Sequence, residues 1–207
     1  IGRQFFLGHR TGLLPGQETA GQFPTIELVN QGWSDGDTAN ISIGQGPITV
    51  TPLQMALLTA AVANGGTIYH PRLVDRIESP DSTKALDALL FPKGKERGQL
   101  TVRPENLGII QDAMLADVLE STATGRRAKI EGYKVCGKTG TAEVKSPSEG
   151  HYNITWFTSF APYENPRYSV VVMVERGDFG GVTCAPIAKK IYEALIQRDK
   201  KTGLTHN

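Results

Sequence analysis

The sequence predicts an α+β fold in which helices cover an antiparallel sheet and a helical lobe lies beside it. Three observations predict this class: an apolar helical segment early in the chain, three strand segments close together later, and a helix after them. The 207 residues, 39 % of them hydrophobic, suffice for one core. We divide residues 1–207 into a loop-rich lead-in (1–50), a helical part (51–132), a part with three strands and a C-terminal helix (133–198) and a tail (199–207).

The lead-in is rich in Gly, Pro, Thr and Gln over its first 45 residues and shows little hydrophobic periodicity. This pattern is typical of loops and short elements. Its stretch DGDTAN (35–40) has a faint likeness to a calcium loop, but the later Gly and the closing Glu are absent. We therefore interpret residues 35–40 as a turn.

The first clear helix is predicted at residues 52–63. Thr51 suits the N-cap, Pro52 suits the first helical position, and Gly65-Gly66 ends the segment. Apolar residues surround this helix on almost every side, which is typical of a buried helix. We expect it at the centre of the fold, followed by strand or extended chain at 67–79.

A second helix is predicted from Pro104 to about Leu119. It follows a polar surface excursion (80–103), in which we predict a short helix from Lys84 to Leu90. The apolar residues that recur at helical spacing, and so predict the packed face of the second helix, are Leu107, Ile110, Met114 and Val118. Beyond the helix, Gly125 allows a left-handed turn.

Three strands are predicted at 133–144, 155–163 and 168–175. The third is almost wholly apolar, which suits a strand covered on both faces. The last two are joined by the short turn ENPR (164–167), so they should pair antiparallel. A last helix from Ala185 to about Arg198 should pack on the sheet. The residues that predict its packed face are Ile187, Ile191 and Leu195.

Composition argues against several functions. The 22 Lys and Arg residues balance 21 Asp and Glu residues, so we expect no nucleic-acid partner. The four histidines stand apart from any metal-ligand spacing, so we expect no metal. The cysteines, Cys136 and Cys184, fit small buried hydrophobes better than a disulfide. No run of about 18 apolar residues and no signal peptide occur.

The stretch CGKTGTAE (136–143) carries the strongest functional pattern. Glycine inside a strand usually marks a close backbone approach, so Gly137 and Gly140 predict a strand edge that receives a ligand. An extended peptide could pair with that edge. Lys138 would bring a positive charge, and Thr139 and Thr141 hydroxyl donors, to a carboxylate at the end of that peptide. The competing interpretation is an ordinary strand with a solvated lysine.

Longer motifs around this stretch point to a family. They follow one another in the order GDTANISIGQGPITVTPLQMALLTAAVANGG (36–66), GRRA, CGKTGTAE and TWFTSFAPYENPRYSVVVMVERG (155–177). With these motifs the chain resembles the transpeptidase domain of class B penicillin-binding proteins, most closely the elongation type, over residues 1–197. Lys-Thr-Gly is one of three motifs of this group, beside S-x-x-K and S-D-N.

The resemblance implies a D,D-transpeptidase that acts on peptidoglycan stem peptides and needs no cofactor. The serine of S-x-x-K attacks a D-Ala-D-Ala bond, the acyl group passes to an amine of a neighbouring stem peptide, and β-lactams acylate the same serine. It also implies that the substrate-binding wall consists of Lys138, Thr139, Gly140 and Thr141. Lys138 and Thr141 would be catalytic, with the Thr141 N–H as one oxyanion donor.

Two motifs of the family are missing. No serine in the chain is followed by lysine three positions later, and no S-x-N occurs. Thr38-Ala-Asn40 has a similar shape, but the family has a structural loop there. Because both motifs precede the region that aligns with Ile1, we interpret the chain as the C-terminal half of a transpeptidase domain, without its nucleophile. We expect it to be inactive alone and to expose part of the helix at 52–63.

Two alternatives remain. A serine β-lactamase or a penicillin-sensor domain shares the fold and Lys-Thr-Gly, although KTGTAE and FTSFAPYENP favour the synthase. A non-catalytic peptide-binding or scaffold module would need only the strand edge. For the longer protein, the resemblance implies an anchor in the inner membrane, this domain in the periplasm, and a membrane-embedded glycan polymerase as partner.

Overall fold

The computed structural model describes residues 2–14, 16–78, 89–91, 93–146, 148 and 150–203. Its helices are α1 (Ile26–Asn30), α2 (Asp35–Ser42), α3 (Pro52–Ala63), α4 (Pro104–Leu119) and α5 (Gly180–Thr202). Its strands are β1 (Thr67–Tyr69), β2 (Arg76–Ile77), β3 (Leu89–Leu90), β4 (Glu96–Gln99), β5 (Cys136–Ser146), β6 (Gly150–Ala161) and β7 (Tyr168–Glu175). Helices and antiparallel strands occur together, which confirms the α+β class.

The main sheet has the strand order β5-β6-β7, and both pairings are antiparallel. The register pairs Cys136 with Phe160 in the first ribbon and Phe157 with Val172 in the second. The predicted pairing of the last two strands is therefore confirmed. The other strands form two small ribbons, β1 with β4 and β2 with β3. Because β5 pairs on one side only, it is an edge strand of the main sheet.

One face of the sheet packs on α5 and forms the largest apolar cluster. Phe157 and Tyr192 are fully buried in it. The predicted helix was too short, and its packed face was right at Leu195, which packs against the cluster, but wrong at its other two residues. Ile187 and Ile191 are 41 % and 38 % exposed, and the residues of α5 that are buried are Gly180, Cys184, Ala185, Ala188, Tyr192 and Asp199. Small residues let the first half of the helix approach the sheet closely, so Ile187 and Ile191 lie at its flanks, and Tyr192 fills the space beyond them.

The far end of α5 also corrects the sequence interpretation. Residues 199–202 were predicted as tail but continue the helix, which ends at Gly203 with φ +70°. Asp199 explains the extension, because its buried carboxylate accepts a hydrogen bond from the Tyr168 hydroxyl at 2.5 Å. The bond fastens this turn of the helix to β7.

The other face of the sheet packs on α3. The predicted start of this helix is confirmed, since Thr51 and Gln54 form a reciprocal capping box. The expected partial exposure is also observed: the buried residues of α3 are Gln54, Thr59, Ala61 and Val62, and its leucines are only half-buried. Polar contacts join the helix to the sheet. The Thr59 and Thr158 hydroxyls lie 2.6 Å apart, and the Ser169 hydroxyl donates to Ala56 O at 2.9 Å.

The bounds predicted for α4 are confirmed, but one residue of its packed face was wrong. Ile110 is 43 % exposed, and Gln111 takes its place by donating from Nε2 to Val62 O at 2.7 Å. Gly125 does not make a left-handed turn, since its φ is −86°. It is needed because a Cβ there would lie 2.8 Å from Asp117 O.

The lead-in contains more helix than predicted. Residues 35–40 belong to α2 rather than to a turn, because Ser34 and Asp37 form a capping box at its start. The Thr38-Ala-Asn40 sequence therefore lies on a helix, not in a loop. The short helix predicted from Lys84 falls mostly outside the described residues, and its last two positions form β3.

The two cysteines are free and buried, which agrees with their interpretation as small core residues. Burial raises the pKa of the Cys136 thiol to about 12. None of the helices in the described part of the chain has the length and apolar content that a membrane span requires.

Candidate functional site

The open edge of β5 presents the backbone of the threonines. Lys138 Nζ donates to Thr139 O at 3.0 Å, and Gln45 Nε2 donates to Thr141 O at 3.2 Å. Neither donor belongs to β6, so both carbonyls point away from the sheet. In an antiparallel strand the N–H and C=O of one residue point to the same side. The Thr141 N–H therefore also points to the open edge.

The side chains of the predicted site lie on two faces of β5. Successive side chains of a strand alternate between faces. Lys138 pairs with Thr158 on the α3 face, whereas Thr139 and Thr141 lie on the α5 face with Phe157. The Lys138 side chain leaves β5 on the α3 face. Its ammonium nevertheless lies at the open edge, because it donates to the outward Thr139 carbonyl.

Gly137 has a different role from the one predicted. A Cβ at this position would lie 2.2 Å from the Phe157 ring, so the glycine makes room for the core rather than for a ligand. At Gly140 the nearest atom, Trp156 Cβ, would lie at 3.4 Å, an ordinary contact distance. Gly140 instead lines the cavity on the α5 face.

That cavity has a volume of about 680 Å³. Its floor is Thr139, Gly140 and Thr141, one side is the loop of residues 123–127, and the other is the start of α5 with the residue before it (179–182). Three of the four predicted site residues thus come together in one cavity. Lys138 is not among its lining residues.

A chain of hydroxyls crosses the cavity floor. The Thr124 hydroxyl donates to Asp117 Oδ1 at 2.8 Å and lies 2.7 Å from the Thr139 hydroxyl. A threonine hydroxyl has one hydrogen, and Thr124 gives its own to the carboxylate. Thr139 must therefore donate to Thr124. Its hydrogen is committed within the protein, so in this arrangement Thr139 can offer a ligand only an acceptor.

Thr141 remains the hydroxyl donor of the floor. Its Oγ accepts a long hydrogen bond, 3.4 Å, from the N–H of Gly180, and its own hydrogen is left for another acceptor. Glycine is required at the start of α5 because a Cβ on Gly180 would lie 2.2 Å from Trp156 O. A Cβ on Gly181 would lie 2.0 Å from Thr124 O. These glycines seat the amino end of α5 directly against β5 and the loop.

The sequence interpretation missed most of the second wall. Arg126 and Arg127 belong to GRRA and Thr124 directly precedes it, a stretch whose residues alone predict no ligand contact. Gly180 and Gly181 come from GDFGG, where paired glycines before a helix could have indicated close packing. Within the described residues, His, Cys, Asp and Glu do not gather in any group of three or more that could bind a metal ion.

The chain belongs to the family of the penicillin-binding protein transpeptidase domain, whose model matches residues 2–193. It is similar to the peptidoglycan D,D-transpeptidase MrdA of Haemophilus influenzae, with 34 % identity over 95 % of this chain. The chain spans about a third of that relative, 32 % of its length.

Solved structures show the same fold. Penicillin-binding protein 3 of Mycobacterium tuberculosis, complexed with ampicillin, matches with a TM-score of 0.80 and 30 % identity, over 96 % of this chain and 44 % of that one. Penicillin-binding protein 2 of Helicobacter pylori, in a complex with MreC, matches with a TM-score of 0.69 and 26 % identity, over 93 % of this chain and 34 % of that one. These likenesses confirm the family inferred from the motifs.

Proposed function

We propose that this chain forms the substrate-binding wall of a peptidoglycan D,D-transpeptidase. The observation that carries the proposal is the open edge of β5, where the outward backbone of Thr139 and Thr141 lies beside the Lys138 ammonium. An extended stem peptide that ends in a carboxylate could pair with this edge through main-chain hydrogen bonds. The β-lactam class would occupy the same position.

Within the reaction, the roles of the β5 residues differ. The outward N–H of Thr141 would donate to the oxygen that becomes negative as the peptide carbonyl is attacked. The Lys138 ammonium would stabilise negative charge at the edge. The Thr141 hydroxyl would donate to the substrate carboxylate, and Gly140 would let the peptide lie close to the strand. Neither a cofactor nor a metal ion has a role in this scheme.

The attacking serine and its lysine base must come from an S-x-x-K motif that this sequence does not contain. The isolated chain should therefore form no covalent adduct with penicillin. Mass spectrometry of the chain after incubation with a labelled penicillin tests this directly. A stoichiometric adduct would contradict the proposal.

Adding the missing motifs should restore the chemistry. A second chain that carries the S-x-x-K and S-x-N half of a related transpeptidase domain should bind this chain and become labelled by penicillin on its serine. The half-exposed surface of α3 offers apolar area for such an association. If the two chains associate and no labelling returns, β5 is not the cleft wall.

For the longer protein, we propose an anchor in the inner membrane with this domain in the periplasm. Partners would belong to the cell-wall elongation machinery, including a membrane-embedded glycan polymerase. Support comes from the family and from the H. pylori relative, which was solved in complex with MreC.

A further inference from the structure

The cavity beside β5 is positively charged. Both charged residues among its described lining residues are arginines, Arg126 and Arg127. The Asp117 carboxylate lies behind Thr124 and is engaged by its hydroxyl. The cavity therefore presents guanidinium groups, threonine hydroxyls and the amino end of α5, and each of these favours an anion.

Arg127 is held at the cavity by a helix defect. Pro186 lies inside α5 and has no N–H, so the carbonyl of Val182, four residues earlier, lacks its usual helical donor. Arg127 Nη1 donates to this oxygen at 3.5 Å. The described residues give Arg127 no second hydrogen bond, so the rest of its five-donor fork is available. Arg126, by contrast, donates to Ser121 O within its own loop at 3.1 Å.

A carboxylate on the cavity floor needs more donors than the threonines supply. The hydrogen of Thr139 is committed to Thr124, which leaves the Thr141 hydroxyl. A carboxylate has two oxygens with about four acceptor positions, and a guanidinium matches both oxygens with parallel N–H groups. A lysine in this place would supply charge without that geometry.

We propose that Arg127 determines specificity at this site by binding the terminal carboxylate of the peptide that pairs with β5. The inference rests on the proposed function and adds to it the residue that selects an anionic chain end over a neutral one. Thr141 donates to the same carboxylate from the floor, and Arg127 donates from the side formed by residues 123–127.

The test is an NMR titration of this chain with N-acetyl-D-alanyl-D-alanine and with its C-terminal amide. The wild-type chain should bind the acid more tightly than the amide. Arg127→Gln should weaken binding of the acid by about tenfold and leave binding of the amide unchanged, as expected for loss of a charged hydrogen bond. Lys129→Gln, which removes an exposed cation outside the cavity lining, is the matched control and should bind both ligands as the wild type does.

Salt provides a check that needs no variant. Binding of the acid to the wild-type chain should weaken as sodium chloride is added, whereas binding of the amide should change little. If Arg127→Gln binds the acid as tightly as the wild type, while Thr141→Val loses it, the inference about Arg127 is overturned and the proposed function stands. If the wild-type chain binds neither ligand, the proposed function is overturned as well.

Discussion

The two faces of the main sheet are covered in different ways. The α5 face is closely packed, with Phe157 and Tyr192 fully buried between strands and helix, and its hydroxyl contact, from Tyr192 to Ser159, is buried as well. The α3 face carries the more apolar helix, yet that helix is only half-buried and is joined to the sheet through hydroxyl groups such as Thr59 and Thr158. Apolar composition therefore does not decide burial. What decides it is how much of the helix surface other elements contact.

The packing of α5 also builds the candidate site. Gly180 and Gly181 bring the first turn of α5 against β5, and Gly137 lets Phe157 lie beneath the same strand. The cavity is thus supported by the largest apolar cluster of the described residues. Residues that bind a ligand are held better by such a support than by loops alone.

The largest difference should come from truncating one apolar residue on each face. Phe157→Ala should lower the free energy of unfolding by about 3–5 kcal/mol, because it leaves a cavity in a fully buried part of the core. Leu58→Ala on the half-buried helix should cost about 1 kcal/mol, because less apolar area is lost. Urea unfolding measures both values. Equal losses would mean that the two faces are packed alike.

Glycine substitutions in β5 should separate core packing from the cavity. Gly137→Ala should cost about 1–3 kcal/mol, because its methyl group would overlap the Phe157 ring. In Gly140→Ala the new Cβ would lie 3.4 Å from Trp156 Cβ, so the free energy of unfolding should fall clearly less. Thermal unfolding of the two variants makes the comparison. A greater loss of stability in Gly140→Ala than in Gly137→Ala would show that Gly140, not Gly137, is the glycine packed against the core.

Hydroxyl contacts should carry measurable stability on the α3 face. Thr59→Val should cost about 1 kcal/mol, because it leaves the Thr158 hydroxyl without its partner. The double variant Thr59→Val, Thr158→Val should cost less than the sum of the single ones. Chemical denaturation of the four proteins gives the coupling energy. Strict additivity would mean that the two hydroxyls do not interact.

The smallest effect should be the pH dependence at the far end of α5. The hydrogen bond from Tyr168, opposed by desolvation and assisted by Arg198 and Arg167, holds the pKa of Asp199 below its usual 3.8. The stabilisation should therefore be complete above the usual pKa and be lost as the pH falls through the lower, folded-state pKa.

Thermal unfolding of the wild type and Asp199→Asn between about pH 7 and pH 3 tests this sign. Near neutral pH the Asn variant should be less stable than the wild type, and the difference between their melting temperatures should narrow in acid. A gap that widens in acid would mean that the folded pKa is raised.

Local signals in the sequence predicted the elements well. The ends of α3 could be recognised at Thr51-Pro52 and Gly65-Gly66, because capping and chain reversal depend on residues that are neighbours in the sequence. Of the strands of the main sheet, β7 is predicted by its apolar run, and its pairing with β6 by the short turn between them. Packed faces were predicted poorly at Ile110, Ile187 and Ile191, because helical spacing alone does not show which of several apolar residues the neighbouring elements contact.

The site could be predicted only in part, because sequence patterns show residues that are close in sequence and not those that folding brings together. CGKTGTAE located one wall, since its residues are contiguous. The second wall joins Thr124 and Arg127 to Gly180, which lie more than 50 residues apart in sequence, and only the packing of α5 brings them together. Thr139 was expected to donate to a ligand. Its commitment to Thr124 depends on a hydrogen-bond chain that spans two elements.

The assignment of β5 as the wall of the cleft is tested most directly by a rate of acylation. The rate is that of labelled penicillin with this chain bound to a second chain that carries the S-x-x-K and S-x-N half of the domain. Lys138→Ala should slow labelling by about a hundredfold, because an ammonium group is removed from the open edge of β5. Lys134→Ala is the matched control, since it removes an exposed cation that forms a surface pair with Glu164, and it should label at the wild-type rate. Wild-type labelling by Lys138→Ala would contradict the assignment of β5 as the wall of the cleft.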